Sequence, residues 1–354
     1  MQKIKINIPI DHRYYAKKLR LLIINVKNII IILAIIYLLS TSFIEKNKNN
    51  KMKKKYSTKE NNSGEGNKVC ICTLGKNENR YIKEFINHYV KLGVDKIFLH
   101  DNNEIGRKNE KFETVISDYI NKEFVEIIDY RGKKYSQFKI YSECFKKHHK
   151  EYDWMIFFDI DEFIHLQDYS NIKNFLNEKR FNKCKLIYFN CLRHTDSDLL
   201  FYDKRPLKER FPEINWKSDS FTLKTIARGN IKTIKFSTSH WLDRKIIGCN
   251  VYGELVVPSK KVKLNNDINL PKFKKYYIDH YCFKSTEEFI NKINRGDGIY
   301  GFNNRIRMHK IKLYFDYNRI TLEKINFLEQ KTGLNLSEYK IMLNNNNNSI
   351  LKKI

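Results

Sequence analysis

Residues 154–158, Trp-Met-Ile-Phe-Phe, form an unbroken apolar run that stops at Asp159-Ile160-Asp161, with Glu162 directly behind. Five large apolar side chains in succession leave no polar face for water. The run therefore predicts a strand covered on both sides, which places it in an α/β sheet layered between helices. Strand side chains alternate, so Asp159 and Asp161 share a face while Ile160 points the other way. Two carboxylates a few ångströms apart repel unless a cation or a proton sits between them. Mg2+ and Mn2+ suit such oxygen ligands and keep positions open for substrate phosphates. The plainer alternative is a pair of solvated turn residues, and D-x-D alone does not separate the two.

The flanking sequence repeats the layered pattern. Strands are predicted at 68–74, 94–100, 124–130 and 154–158, with further strands at 185–192, 222–227 and 231–236. Between the first two, residues 78–93 place Tyr81, Phe85, Tyr89 and Leu92 on one helical stripe, with Gly93 where a helix-ending glycine belongs. A second helix is predicted over 135–149, and a third from Ser285, where Ser285 and Glu288 fit a capping box. Ligands of open α/β sheets collect beyond the carboxyl ends of the parallel strands. Three predicted strand ends carry polar groups there: Thr73 to Glu78, Asp101 to Asn103, and Asp159 to Glu162. Their convergence predicts a divalent cation holding a nucleotide diphosphate.

Composition narrows the partners. The 354 residues carry 67 Lys and Arg against 40 Asp and Glu, a net charge of +27 that attracts polyanions in general. The lysines are scattered and no nucleic-acid reader motif is present, so no specific nucleic-acid partner is expected. Seven cysteines show no C-x-x-C pair; Cys70 and Cys72 alternate along one strand, which predicts packing, and the odd number leaves at least one thiol unpaired.

Residues 1–20 form a basic N-terminal tail. Residues 21–44 are apolar apart from Lys27 and a few small polar residues, long enough for one membrane-spanning signal anchor at about 20 residues per crossing. Six basic residues precede that span and seven follow it, so charge gives no orientation. Residues 45–67 are lysine-rich and low in complexity, as in a disordered stem. A catalytic domain is expected over 68–322 and a C-terminal helix with an Asn-rich tail over 323–354.

The segments "TLGKNENRYIKEFINHYVKLGVDKIFLHDNNE" and "DWMIFFDIDEFI", followed by "LKTIARGNIKTIKFSTSHW" and "IDHYCFKSTEEFINKINRGD", resemble glycosyltransferase family 92 and its bacterial relatives. The resemblance implies the GT-A fold, Rossmann-like with a mostly parallel central sheet. It further implies a UDP-sugar donor with galactose favoured, a glycan, glycoprotein or glycolipid acceptor, metal dependence on Mn2+ or Mg2+, and inversion at the anomeric carbon. Carried onto this chain, Thr73, Lys76, Asn77 and Glu78 would lie beside the uridine, and Asp101 would contact the nucleoside. Asp159 and Asp161 become the D-x-D pair, with Asp161 the direct metal ligand and Asp159 also nucleotide-facing. His240 or His280 would complete the metal shell, and Lys284 and Arg295 would meet donor phosphates. A carboxylate must take the acceptor's proton; Asp219 leads, with Glu162 and Asp279 as alternatives. In a eukaryotic host the resemblance implies a Golgi membrane protein with its catalytic domain in the lumen; the sequons at Asn61, Asn335 and Asn347 permit this.

Two rivals fit parts of the pattern. A haloacid-dehalogenase-like phosphatase also sets D-x-D after an apolar strand, but usually has Thr or Val where this chain has Phe163. A basic, membrane-tethered binding protein without catalysis would treat the carboxylates as surface features.

Overall fold

The computed structural model describes residues 67–106, 111–134, 136–215, 223–236, 246, 248–256, 274–296 and 302–351, all within the unit Gly66–Ile354. The predicted membrane span, the stem up to residue 66, Asp219 and His240 lie outside the described residues. Among the described residues no helix is long and apolar enough to cross a membrane.

The central sheet contains β1 (Val69–Gly75), β2 (Lys96–Asp101), β3 (Val125–Asp129), β4 (Trp154–Phe157), β5 (Glu162–Leu166), β6 (Leu186–Arg193), β7 (Leu223–Arg228), β8 (Gly248–Asn250), β9 (Leu255–Val256) and β10 (Tyr276–His280). Its main path runs β3-β2-β1-β4-β7-β6-β10-β5, with β8 paired to β6 and β9 to β8. Strands β3, β2, β1 and β4 are mutually parallel. Strand β7 is antiparallel to both its neighbours, β10 is parallel to β6, and β5 is antiparallel to β10. One edge therefore gathers the carboxyl ends of β1, β2, β4, β6 and β10 together with the amino ends of β7 and β5. Every functional side chain described below sits on or beside that edge.

The run at 154–158 is covered on both faces as expected. Trp154, Ile156 and Phe158 pack into one apolar layer with Val69, Ile71 and helix α1 (Ile82–Lys91). Met155 and Phe157 pack into the other with Cys70, Cys72 and helix α2 (Gln137–His148). The stripe of Tyr81, Phe85, Tyr89 and Leu92 is buried, and Gly93 ends the helix at φ +83°, a conformation that costs glycine little. An alanine there would also drive its Cβ into the Asn171 side chain. A third apolar cluster joins α3 (Thr286–Asn294), α4 (Asn304–Tyr317) and α5 (Leu322–Thr332). It continues past residue 322 through Ile325, Leu328 and Leu336, ahead of the last helix, α6 (Ser337–Leu351).

Three expectations are corrected. Residues 231–236 form no strand: Gly229 and Asn230 turn the chain out of the sheet, and Ile231, Ile234 and Phe236 are buried in the α2 layer without a ladder. Asp159 and Asp161 do not alternate on an extended strand. The chain turns after Phe158, the Glu162 amide donates to the Asp159 carbonyl at 3.1 Å, and the two carboxylates converge across that turn. Cys72 does more than pack, since it is disulfide-bonded to Cys144; a second bond joins Cys184 to Cys249, leaving Cys70, Cys191 and Cys282 free.

Candidate active site

Asp159, Asp161 and Glu162 each offer a carboxylate oxygen, and the three lie within 4.8 Å of one another. Their surroundings differ. Asp159 Oδ2 takes the Lys224 ammonium at 2.7 Å, and its Oδ1 accepts from Gln137 at 2.9 Å and from the Tyr141 hydroxyl at 3.1 Å. Three donors satisfy that carboxylate. Asp161 is buried and takes Lys292 at 2.6 Å on Oδ2, while its Oδ1 faces His280 Nε2 at 3.6 Å. Glu162 is fully enclosed: Oε2 binds Lys224 at 3.0 Å and accepts the Asp159 amide at 3.0 Å, and Oε1 faces His280 Nε2 at 3.7 Å without a hydrogen bond.

Topology explains this clustering. Glu162 and His280 are direct partners where β5 runs antiparallel to β10, and Lys224 enters as the second residue of antiparallel β7. The electrostatics follow from burial and proximity. Burial opposes ionisation of Asp161, but the Lys292 and Lys284 ammonium groups outweigh it and hold its carboxyl well below the usual range. Burial pushes Glu162 up to about 8, with Lys224 opposing and Asp159 and Asp161 adding to the rise. Burial likewise keeps the His280 imidazole neutral, its ligating form.

These residues fit a divalent cation. Ligand atoms around such an ion lie about 3 to 4 Å apart, which matches the distances from His280 Nε2 to Asp161 and Glu162. Glu162 Oε1, which faces His280 Nε2, is a buried polar atom without a hydrogen-bond partner among the described residues, and such an atom calls for an explanation. Asp159, already satisfied by three donors, fits the ion less well than Asp161.

A cavity of about 320 Å³ opens over this cluster, lined in part by Lys76, Asn102, Asp159, Asp161, Arg193 and His280. Of the residues expected at the nucleotide, Lys76 and Glu78 line it. Asn77 lines a neighbouring cavity, and Thr73 is buried inside β1. Asp101 faces a separate groove and caps the Asn103 amide at 2.9 Å, so Asn102 takes the expected place in the cavity. Arg295, expected at a phosphate, lines the cavity and is engaged with Glu78 and the Lys76 and Asn77 carbonyls, clamping the loop after β1. Lys284 lines the neighbouring cavity. Asp279 alternates with His280 along β10 and points to the opposite face, where His194 holds it at 2.7 Å. Neither Asp279 nor the enclosed Glu162 is placed to meet an acceptor hydroxyl.

Lys224, Lys292, Arg193, Gln137 and Tyr141 were not anticipated. Lys224 and Lys292 left a legible signal, each being a lysine set among residues that the apolar pattern buries: "LKTIA" and "FINKI".

A family model described as Glycosyltransferase family 92 matches residues 66–242, half of the chain. Family 92 glycosyltransferase proteins of Ricinus communis (27% identical over 106 residues), Arabidopsis thaliana (32% over 105) and Oryza sativa subsp. japonica (29% over 108) each match 30% of this chain. The matched stretch spans only 18% of each relative's own length. Among solved structures, S. aureus TarS is 11% identical with a TM-score of 0.33 over 77% of this chain and 76% of its own. A mannosyltransferase of Pyrobaculum calidifontis in complex with GDP-Man and Mn2+ is 11% identical with a TM-score of 0.25 over 41% of this chain and 46% of its own. Likenesses that distant support nothing further. The family match starts just ahead of β1 and runs past β7, so it takes in the ends of β1, β2 and β4 and the Lys224 strand from which the cavity is built: the chain belongs to glycosyltransferase family 92.

Proposed function

We propose that the chain is a metal-dependent, inverting glycosyltransferase of the GT-A type, moving a hexose, with galactose favoured, from a UDP-sugar to a glycan acceptor. The observation that carries this reading is the meeting of Asp161, Glu162 and neutral His280 under a cavity rimmed by Lys76, Arg193 and Lys292, in a chain of this family. Asp161 and His280 would hold Mn2+ or Mg2+, with Glu162 behind them. When bound there, the ion neutralises charge developing on the departing diphosphate. Lys224 fixes Asp159 and Glu162, and Gln137 and Tyr141 orient Asp159 toward the cavity. Arg193, backed by a hydrogen bond to the Tyr317 hydroxyl at 2.9 Å, presents a cation to the same space.

In this reading residues 21–44 anchor the protein in a membrane, and in a eukaryotic host the catalytic domain lies on the lumenal side. The two disulfides suit an oxidising compartment. The test is incubation of the full-length chain with single UDP-sugars, a glycan panel and Mn2+, following UDP release and the anomeric configuration of the product by NMR. Transfer stops with EDTA and returns with Mn2+. Asp161→Asn abolishes transfer while the protein stays folded by circular dichroism; near wild-type transfer by that variant would refute the assignment of Asp161 to the metal.

A further inference from the structure

A second cavity, of about 550 Å³, adjoins the first and shares Glu78, Lys292 and Arg295 with it. Polar residues line it, with amides from Asn77, Asn79, Asn291 and Asn294, although aliphatic and aromatic portions of the lining side chains make up nearly half of the surface. Two carboxylates face it: Glu288 is committed, and Glu78 is held through Oε1 while its Oε2 has no hydrogen bond among the described residues and lies 3.8 Å from Lys284. Glu288 binds Arg210 at 2.7 Å, the Tyr81 hydroxyl at 2.6 Å and Ser285 Oγ at 2.6 Å, while Glu78 holds Arg295. Of the four cations, Lys292 is tied to Asp161 and Arg295 to Glu78. Arg80 and Lys284 remain. Arg80 is exposed and lies 4.2 Å over the Tyr202 ring.

Lys284 is the telling residue. Its side chain is only 4% exposed, yet its ammonium has no hydrogen bond among the described residues. Its carboxylate contacts, to Glu78 and Asp161, are both 3.8 Å, and the Tyr81 ring lies 4.1 Å below it. A buried ammonium with unused donors is costly unless a ligand completes it. Its backbone is also left-handed, φ +58°, an arrangement that a side-chain-bearing residue keeps only where its surroundings impose it and that clusters at ligand sites.

We infer that this cavity is the acceptor subsite and that it takes a saccharide bearing an anionic group, a carboxylate, phosphate or sulfate, with Lys284 as the residue that reads the charge. The inference rests on the glycosyl-transfer reading, since it places the acceptor across the shared wall from the donor.

The test is saturation-transfer NMR on the full-length chain with glucuronate, glucose 6-phosphate, glucose 6-sulfate and neutral glucose, alongside calorimetric titration with UDP and Mn2+. Any of the three anionic sugars binding at least tenfold more tightly than glucose, and losing that advantage in Lys284→Gln, supports the subsite. The relative strength of the three identifies the group that is read. Arg80→Gln, on the surface and remote from the packed core, weakens the same sugar about threefold and covers the case in which Lys284→Gln does not fold. Equal binding of glucose and all three anionic sugars overturns the inference. So does a Lys284→Gln variant that loses UDP more than tenfold while keeping the anionic sugar, because Lys284 then belongs to the donor. Absence of UDP binding by the wild-type chain would instead refute the glycosyl-transfer reading, and the sugar titrations would still judge the cavity.

Discussion

At the residue scale, Lys224 holds the site together. Its ammonium is 1% exposed and is shared between Asp159 and the fully enclosed Glu162. Burial disfavours its charge, yet the two acids outweigh that and hold its pKa well above the ordinary lysine value. Lys224→Met leaves the buried Glu162 and the half-buried Asp159 without their shared countercharge, and breaking a buried pair in that way costs about 3–5 kcal/mol. Urea unfolding should show this loss, and Mn2+ titration followed by electron paramagnetic resonance should show weakened binding. Lys292→Met provides the contrast: that ammonium is 26% exposed, so its removal should cost less stability. Equal losses in the two variants would refute an organising role for Lys224. The aspartates were legible because carboxylates that end a buried strand are anomalous. The lysines were less so, because in a chain with 67 basic residues one more lysine carries little information until its neighbours are known to be buried.

At the scale of elements, what the pattern captured is periodic and local. The α1 stripe and the Ser285–Glu288 capping box depend on side chains three or four residues apart, and both form as read. The contribution of β7 was hidden because it is antiparallel and delivers Lys224 from its amino end, whereas the expectation looked only to carboxyl ends; Glu162 was read with the acidic strand end, but not that it opens the antiparallel strand β5. Strand pairing is long-range information that hydrophobic period alone does not carry. Residues 231–236 failed for a related reason, since buried apolar residues without a ladder carry the same composition as a strand. The D-x-D turn, too, depends on a distant approach. A Cβ on Gly75, at the end of β1, would lie 2.6 Å from the Phe112 ring and 2.9 Å from Ile160 Cδ1. Gly75→Ala must therefore push back the Phe112 ring and the Cδ1 of Ile160, the residue between the two aspartates. Overpacking of this kind costs about 1–3 kcal/mol; thermal melts should show that loss, and Mn2+ affinity should fall although no polar group has changed. Unaltered Mn2+ affinity would mean that the turn absorbs the shift.

At the scale of the whole molecule, the layers are joined by covalent and titratable links. The disulfides close loops with separations of 72 and 65 residues, and chain-entropy models assign such loops about 4 kcal/mol each, so reduction should lower the melting temperature markedly. The titratable links give a pH dependence with a definite sign. His88 on α1 bonds the Ile164 carbonyl of β5 at 3.1 Å, and His100 on β2 bonds the Thr73 carbonyl of β1 at 3.0 Å. Burial holds each imidazole down to about 4, against about 6.5 in an unfolded chain. Above about pH 6.5 neither state binds the proton and the full stability is present. Between there and about 4 only the unfolded chain takes it up, so stability falls as pH drops through that window. Urea midpoints at about pH 7, 5.5 and 4.5 should decline for the wild-type chain and decline less steeply for the double variant His88→Gln, His100→Gln, in which each amide can still donate to its carbonyl but cannot titrate. Parallel slopes for the two proteins would show that acid sensitivity arises elsewhere, and that these imidazoles tie α1 to β5 and β2 to β1 without linking stability to pH.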